Sequence, residues 1–159
     1  MITIAVTILI WFVLHMLGVY LCHKLSGTHL NKMLDAFSSK PFEGRGTIYQ
    51  KIFHIQKWKD FLPDGGKINR FGFEKSRLVS KNESYLNDFI LETLRAELIH
   101  WFGILSSLVF LWIYAYPKNI LIFSIAILID IPFIMIQRYN RPRLQRIVKH
   151  IRRKNNVMD

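Results

Sequence analysis

The stretch Glu92-Thr-Leu-Arg95-Ala-Glu97-Leu-Ile-His100-Trp101 carries two carboxylates, a guanidinium and an imidazole just before a long apolar run. Ionisable groups at the mouth of a membrane span are costly to desolvate and by default mark a functional site. The plainer reading is that they only end the helix at the headgroups. At about 100° per residue from Glu92, Arg95 lies at about 300°, His100 at about 80° and Glu97 at about 140°, so all four share one broad arc. The spacing of Glu97 and His100 predicts a carboxylate–imidazole contact, and that of Glu92 and Arg95 a carboxylate–guanidinium contact. An imidazole held by an acid is what a general base requires. The candidate catalytic residues are therefore His100, Glu97 and Glu92, with Arg95 and Trp101 as candidate substrate contacts.

A second stretch, Gln137-Arg138-Tyr139-Asn140-Arg141-Pro142-Arg143, packs three guanidinium groups beside a tyrosine and an asparagine. Such a cluster suits a phosphate or carboxylate, and Arg138, Tyr139, Asn140, Arg141 and Arg143 join the substrate-binding candidates. Asp130 is the only acid deep in an apolar block. It is expected to face the interior, meet a cation or polar group, and contribute to substrate binding. His15, inside another apolar block, is expected to bond a neighbouring helix; a place in the site is its sharper reading. Glu97-x-x-His100 has the spacing of di-iron bundles, but those need a second Glu-x-x-His, and the chain has none. No metal and no cofactor is expected. Gly65-Gly66 alone is a turn signal rather than a phosphate loop.

The elements that must position these residues follow from the hydropathy. The chain has 159 residues, half of them apolar, and a net charge of +11. The apolar residues gather in three blocks with the charges between them, the division of a small multi-span membrane protein. Spans are predicted over about 2–22, 99–116 and 120–136, within a single membrane domain covering 1–159. The first block lacks a basic leader and a clear small-x-small cleavage site, which makes it a retained span. The second is expected to run as one helix from Ser84, its cap, through the polar stretch to Tyr116. The third is short and holds Pro132, which should kink it. The lone Cys22 allows neither an internal disulfide nor a cysteine zinc site.

The polar middle, 23–98, is rich in Lys and Arg, punctuated by Lys40-Pro41, Gly44-Arg45-Gly46 and Pro63-Asp64-Gly65-Gly66. Between these turns, 47–62 mixes aromatic and basic residues, which suits an interfacial helix or strand pair and a wall of a substrate cleft. The tail, 137–159, holds eight Lys/Arg and one acid. After Pro142 it should form a basic amphipathic helix with Leu144, Ile147, Val148 and Ile151 on one face. The fold class is thus all-α and integral to the membrane. With both basic segments inside, the N-terminus lies outside, and the two ionisable stretches meet at the cytoplasmic face of the cell membrane. The counter-charge is anionic lipid or a phosphorylated ligand rather than nucleic acid.

At these two stretches the sequence resembles the glycosyl-4,4′-diaponeurosporenoate acyltransferase family, membrane enzymes that finish the carotenoid staphyloxanthin. Glu92 to Trp101, Pro132 and Gln137-Arg-Tyr-Asn-Arg-Pro-Arg-Leu144 carry the likeness, with a weaker match at Lys57-Trp58-Lys59 and Asp64-Gly65. The resemblance implies transfer of a fatty acyl group to the 6-hydroxyl of a sugar on a carotenoid. It implies an acyl donor such as acyl-CoA or acyl-carrier protein, a glycosylated lipid or carotenoid acceptor, and the bilayer as partners. In that reaction His100 would act as base with Glu97 orienting it. The arginines would hold donor phosphates or an oxyanion, and Tyr139 and Asn140 would bond the sugar. The competing classes are a lipid-binding scaffold without catalysis and a metal-dependent lipid enzyme built on Glu97-x-x-His100.

Overall fold

The computed structural model describes residues 2–62 and 82–158. The Pro63-Asp64-Gly65-Gly66 turn, and with it the Asp64-Gly65 part of the resemblance, lies outside them. The described chain is helical, with no strand: α1 (Ile2–His23), α2 (Gly27–Met33), α3 (Thr47–Phe53), α4 (Glu83–Ser106), α5 (Phe110–Ile113) and α6 (Lys118–Met158). Single 3-10 turns cover Ile55–Lys57, Lys59–Phe61 and Ser107–Val109, and the 3-10 stretch Pro41–Gly46 is broken by left-handed Gly44 and Arg45. Three stretches, Ile4–His23, Glu83–Ile113 and Lys118–Val157, are long and apolar enough to cross a membrane. α4 packs along α6, and α1 packs on α4. α1 is apolar around its whole circumference, so it buries one side on α4 and presents Ile4, Ile8, Leu9 and Phe12 outward. Its close approach is made at Gly18, where a Cβ would stand 2.6 Å from the Phe102 ring.

The hairpin of α4 and α6 is the spine of the molecule. At about 1.5 Å per residue, the 41 residues of α6 reach about twice the ~30 Å hydrocarbon core, so its far half stands clear of the bilayer. There Leu86, Phe89 and Ile90 of α4 bury against Leu144 and Val148 of α6, with Leu34, Tyr85 and Ile151 around them. Closer to the apolar half, Tyr49 and Ile55 bury against Tyr139, backed by Ile48, Trp58, Met135 and Ile136. The polar middle segment is therefore a cap folded onto the projecting spine.

Several boundaries differ from the sequence expectation. Asn82, one residue outside the helix, caps α4 by accepting from the Ser84 N–H, and Glu83 follows in the first turn, where its charge suits the helix dipole. The run to Tyr116 is not one helix: it tightens to 3-10 at Ser107–Val109 before α5. α6 continues through Pro132 and Pro142, so the expected basic amphipathic helix of the tail is the far end of α6. Burial of Leu144 and Val148 on the first turns of α4 is what carries the helix past Pro142. Ile147 stands outside this contact, 38% exposed. Pro142 has no N–H to bond the carbonyl of Arg138, four residues back. Gly46 lies against that carbonyl, where a Cβ would stand 3.3 Å from Arg138 O and 3.2 Å from Tyr139 O. Gly46 also has φ 88°, so glycine is required there twice over.

Candidate active site

Glu97 faces α6 and is fully buried. Arg138 Nη1 donates to its Oε1 at 2.8 Å and Arg141 Nη2 to its Oε2 at 2.5 Å. Trp101 Nε1 donates from one turn on, at 3.3 Å, while the Trp101 ring stays 40% exposed. Arg138 continues to Glu43, with Nε on Oε1 at 2.5 Å and Nη2 on Oε2 at 2.9 Å. Arg141 donates to Thr93 Oγ1 and Thr93 O, each at 3.1 Å, and to Phe37 O at 2.9 Å. Two carboxylates thus meet two guanidinium groups, with the remaining donors spent on hydroxyl and carbonyl oxygens. A buried charge survives only when paired and hydrogen-bonded in this way.

Glu43 sits in the loop Lys40-Pro41-Phe42-Glu43-Gly44, 1% exposed. It also accepts from the Lys40 N–H at 2.5 Å and from the Tyr49 hydroxyl. Burial raises its pKa, but the bonds from Arg138, Tyr49 and Lys40 outweigh burial and hold the carboxyl down at about 2. Burial, and then the adjacent Glu43 charge, push the Tyr49 phenol up to about 12. Sequence reasoning missed Glu43 and Thr93 as members of this network. The one local signal was the spacing of Glu43 three residues after Lys40, the reciprocal backbone cap that the structure shows.

About one helical turn deeper in the apolar half stands a different cluster. His100 Nδ1 donates to Asp130 Oδ1 at 2.8 Å, and His15 Nε2 lies 3.1 Å from the same oxygen. Asp130 is fully buried, and its Oδ2, like His15 Nδ1, has no partner among the described residues. His100 stacks on Phe133 with centroids 4.6 Å apart and planes at 9°, and His15 packs on Trp11 at 4.2 Å. Gly103 makes the room: a Cβ there would fall 2.5 Å from His15 Cε1 and 2.7 Å from Asp130 Oδ2. The carboxylate fixes the His100 proton on Nδ1, which leaves Nε2 as a lone-pair base on the more open side of the cluster.

The expected Glu97–His100 pair is therefore replaced. Glu97 turns to the arginines, and Asp130 holds His100. Nor do the four ionisable residues of the Glu92–His100 stretch converge. Glu92 accepts from Arg95 as expected, and Arg95 Nη2 reaches Leu25 O at 3.1 Å, which ties α4 to the link between α1 and α2. Arg138 and Arg141 have their nitrogens committed inside the protein. Tyr139 is buried and accepts from Gln56 Nε2 at 2.6 Å, while the exposed Arg143 bonds its hydroxyl and lies over its ring, 4.7 Å from the centroid. Asn140 is half-buried. His15 enters the site, through Asp130. A metal, if one bound, would find its donors in His15, His100 and Asp130, whose ligand atoms lie within 4.8 Å of one another. Two imidazoles and a carboxylate suit zinc or iron. The carboxylate of that set is Asp130, not Glu97.

Residues 32–150, which include Glu43, Glu97, His100, Asp130, Arg138 and Arg141, match the family described as glycosyl-4,4′-diaponeurosporenoate acyltransferase. The chain belongs to this family. A glycosyl-4,4′-diaponeurosporenoate acyltransferase of Staphylococcus aureus (strain MRSA252) is 38% identical over 123 residues, 77% of this chain and 74% of the relative. Another, from strain Newman, is 32% identical over 149 residues, 94% of this chain and 90% of the relative. No solved structure matches. The matched region begins after α1, so the family match covers His100 and Asp130 but not His15.

Proposed function

We propose that this membrane protein transfers a fatty acyl group from a thioester donor to a sugar hydroxyl of a glycosylated carotenoid or related glycolipid, at the cytoplasmic face of the cell membrane. The observation that carries this reading is the His100–Asp130 pair: an imidazole bonded at 2.8 Å to a buried carboxylate, with its second nitrogen free to act. His100 Nε2 takes the proton of the attacking hydroxyl, and Asp130 holds the imidazolium that forms. The sugar oxygen bonds to the thioester carbonyl carbon, the carbon–sulfur bond breaks, and the leaving thiolate takes the proton back from His100. Among the described residues His100 bonds a carboxylate, not a hydroxyl or thiol. This favours direct transfer over a covalent acyl-enzyme. The apolar outer faces of α1 and α4 supply the wall on which the acyl and polyene chains lie. Glu97, with Arg138, Arg141 and Glu43, is a positioning network that locks α4 to α6.

The test is transfer of a labelled acyl group from a thioester onto a glycosylated carotenoid extract by membranes carrying the protein. His100→Gln is expected to lower the rate about 10²–10⁴-fold without removing the protein from the membrane. A fully active variant would sink the role of His100. A second reading, a metal-dependent transferase, rests on the unpartnered Asp130 Oδ2 and His15 Nδ1. Stoichiometric metal in purified protein, lost in His15→Ala, would favour it.

A further inference from the structure

Beside the spine, where the loop carrying Arg45 and helix α3 lean on α6, lies an open groove of about 280 Å³. Arg45, Lys51, Arg143 and Arg146 line it, along with Gln56 and Tyr139, and no carboxylate does. All four cations are exposed. Arg143 rests on the Tyr139 ring. Arg45, Lys51 and Arg146 pair with no acid among the described residues. Their arrangement is built rather than incidental. Glu43, clamped by Arg138, anchors the loop, and Gly44, Arg45 and Gly46 in succession take positive φ of 53°, 56° and 88°. Gly46 seats against the backbone of α6, so Arg45 is held at the groove by a backbone that few side chains tolerate. Four unneutralised cations with amide and phenol donors between them fit a phosphate group.

The placement relative to the chemistry narrows the class of ligand. Asp130 and Arg143 are both on α6, thirteen residues apart, which is about 20 Å along the helix. A phosphate in the groove is thus separated from His100 by a span of the order of an extended pantetheine arm. We propose that this groove holds the phosphate of a phosphopantetheine thioester, the acyl donor, with the arm running along α6 so that the thioester reaches His100. This assignment rests on the acyl-transfer reading. It also moves donor recognition from Arg138 and Arg141, which are engaged by carboxylates, to Arg45, Lys51 and Arg146. Coenzyme A and an acyl-carrier protein offer the same phosphate and arm.

The experiment uses the full chain in phosphatidylcholine vesicles and three donors with the same acyl group: acyl-CoA, acyl-carrier protein and acyl-pantetheine without phosphate. The triple variant R45Q/K51Q/R146Q is expected to raise KM for the phosphorylated donor at least about tenfold, with kcat within about twofold, and to restore affinity when Lys replaces both arginines and Lys51 is kept. Acyl-pantetheine should be used equally by both proteins. The phosphorylated donor whose KM moves is the one the groove serves. Unchanged KM for both phosphorylated donors overturns the proposal, as does an equal loss with acyl-pantetheine. Loss of binding to phosphatidylglycerol vesicles with donor KM unchanged also overturns it, in favour of a lipid-headgroup site. Direct binding of a non-transferable thioether analogue of each phosphorylated donor separates the two readings. If His100→Gln stays active while the triple variant loses analogue binding, the catalytic assignment fails and the groove stands. If His100→Gln is inactive and analogue binding is untouched in the triple variant, the reverse holds.

Discussion

The hairpin of α4 and α6 buries two carboxylates, and their surroundings are opposite. Glu97 is saturated: two guanidinium groups and an indole N–H fill its oxygens, and the arginines pass the remaining donors to Glu43, Thr93 and Phe37. Asp130 is incomplete: two imidazoles share one oxygen and the other has no partner among the described residues. A saturated network resists change and fixes geometry. An incomplete one, holding an imidazole with a nitrogen to spare, can take up or give back a proton during a reaction. On the proposed acyl-transfer reading, the difference gives Glu97 a structural role and Asp130 a chemical one, although both are acids in the same hairpin.

The comparison breaks most sharply at Asp130. Asp130→Asn preserves shape but trades the charged acceptor of the His100 Nδ1 proton for a neutral amide, which can turn an NH2 toward His100 and cannot hold the imidazolium, and acyl transfer should fall about 10²–10⁴-fold with little change in thermal unfolding. Glu97→Gln should do the opposite. It leaves the buried Arg141 guanidinium facing a neutral amide and Arg138 with Glu43 as its carboxylate partner, and the expected loss is about 3–5 kcal/mol of stability, read from the melting midpoint. Activity of the surviving folded fraction should stay near wild type; equal specific-activity losses in both variants would erase the distinction.

The third test uses pH. Glu43 has its carboxyl lowered from 4.5 to about 2 in the fold. A depressed acid contributes stability that is present above its unfolded value and lost as pH falls through the folded one. The window is therefore pH 4.5 down to 2, and the contribution about 3 kcal/mol. Glu43→Gln should flatten that acid limb of the stability curve, while Asp60→Asn, at an exposed acid, should leave it in place. The smallest expected effect is Gly103→Ala. The added methyl would press on His15 and Asp130, costing about 1–3 kcal/mol and lowering activity without altering any charge. An unperturbed rate in that variant would show that the histidine–aspartate cluster tolerates displacement, and would blunt its assignment as the reactive half of the pair.

Much of this was legible in the residues. The three apolar blocks are spans or the cores of spans, and the two ionisable stretches do lie on facing helices of one hairpin. The Glu92–Arg95 pair was readable because both partners lie on one helix at a spacing that brings them together. The same rule failed for Glu97 and His100. At about 60° apart around α4 they point at different neighbours, and periodicity within a helix says nothing of what stands opposite. The sequence pattern starts the tail helix after Pro142 because an interior proline removes a hydrogen bond. The burial of Leu144 and Val148 on α4, a tertiary gain, overrode that local cost.

By itself the sequence determined the class of fold, the family, and which residues carry charge into apolar surroundings, because composition and spacing act locally along one chain. Which acid serves which base was decided only by tertiary structure. Side chains separated by 30 to 95 positions, such as His100 and Asp130 or Glu43 and Arg138, meet only after helices pack. Burial then forces each charge to take whatever partner the packing supplies. Glu97 met arginines and became a clamp, and His100 met Asp130 and kept a nitrogen free.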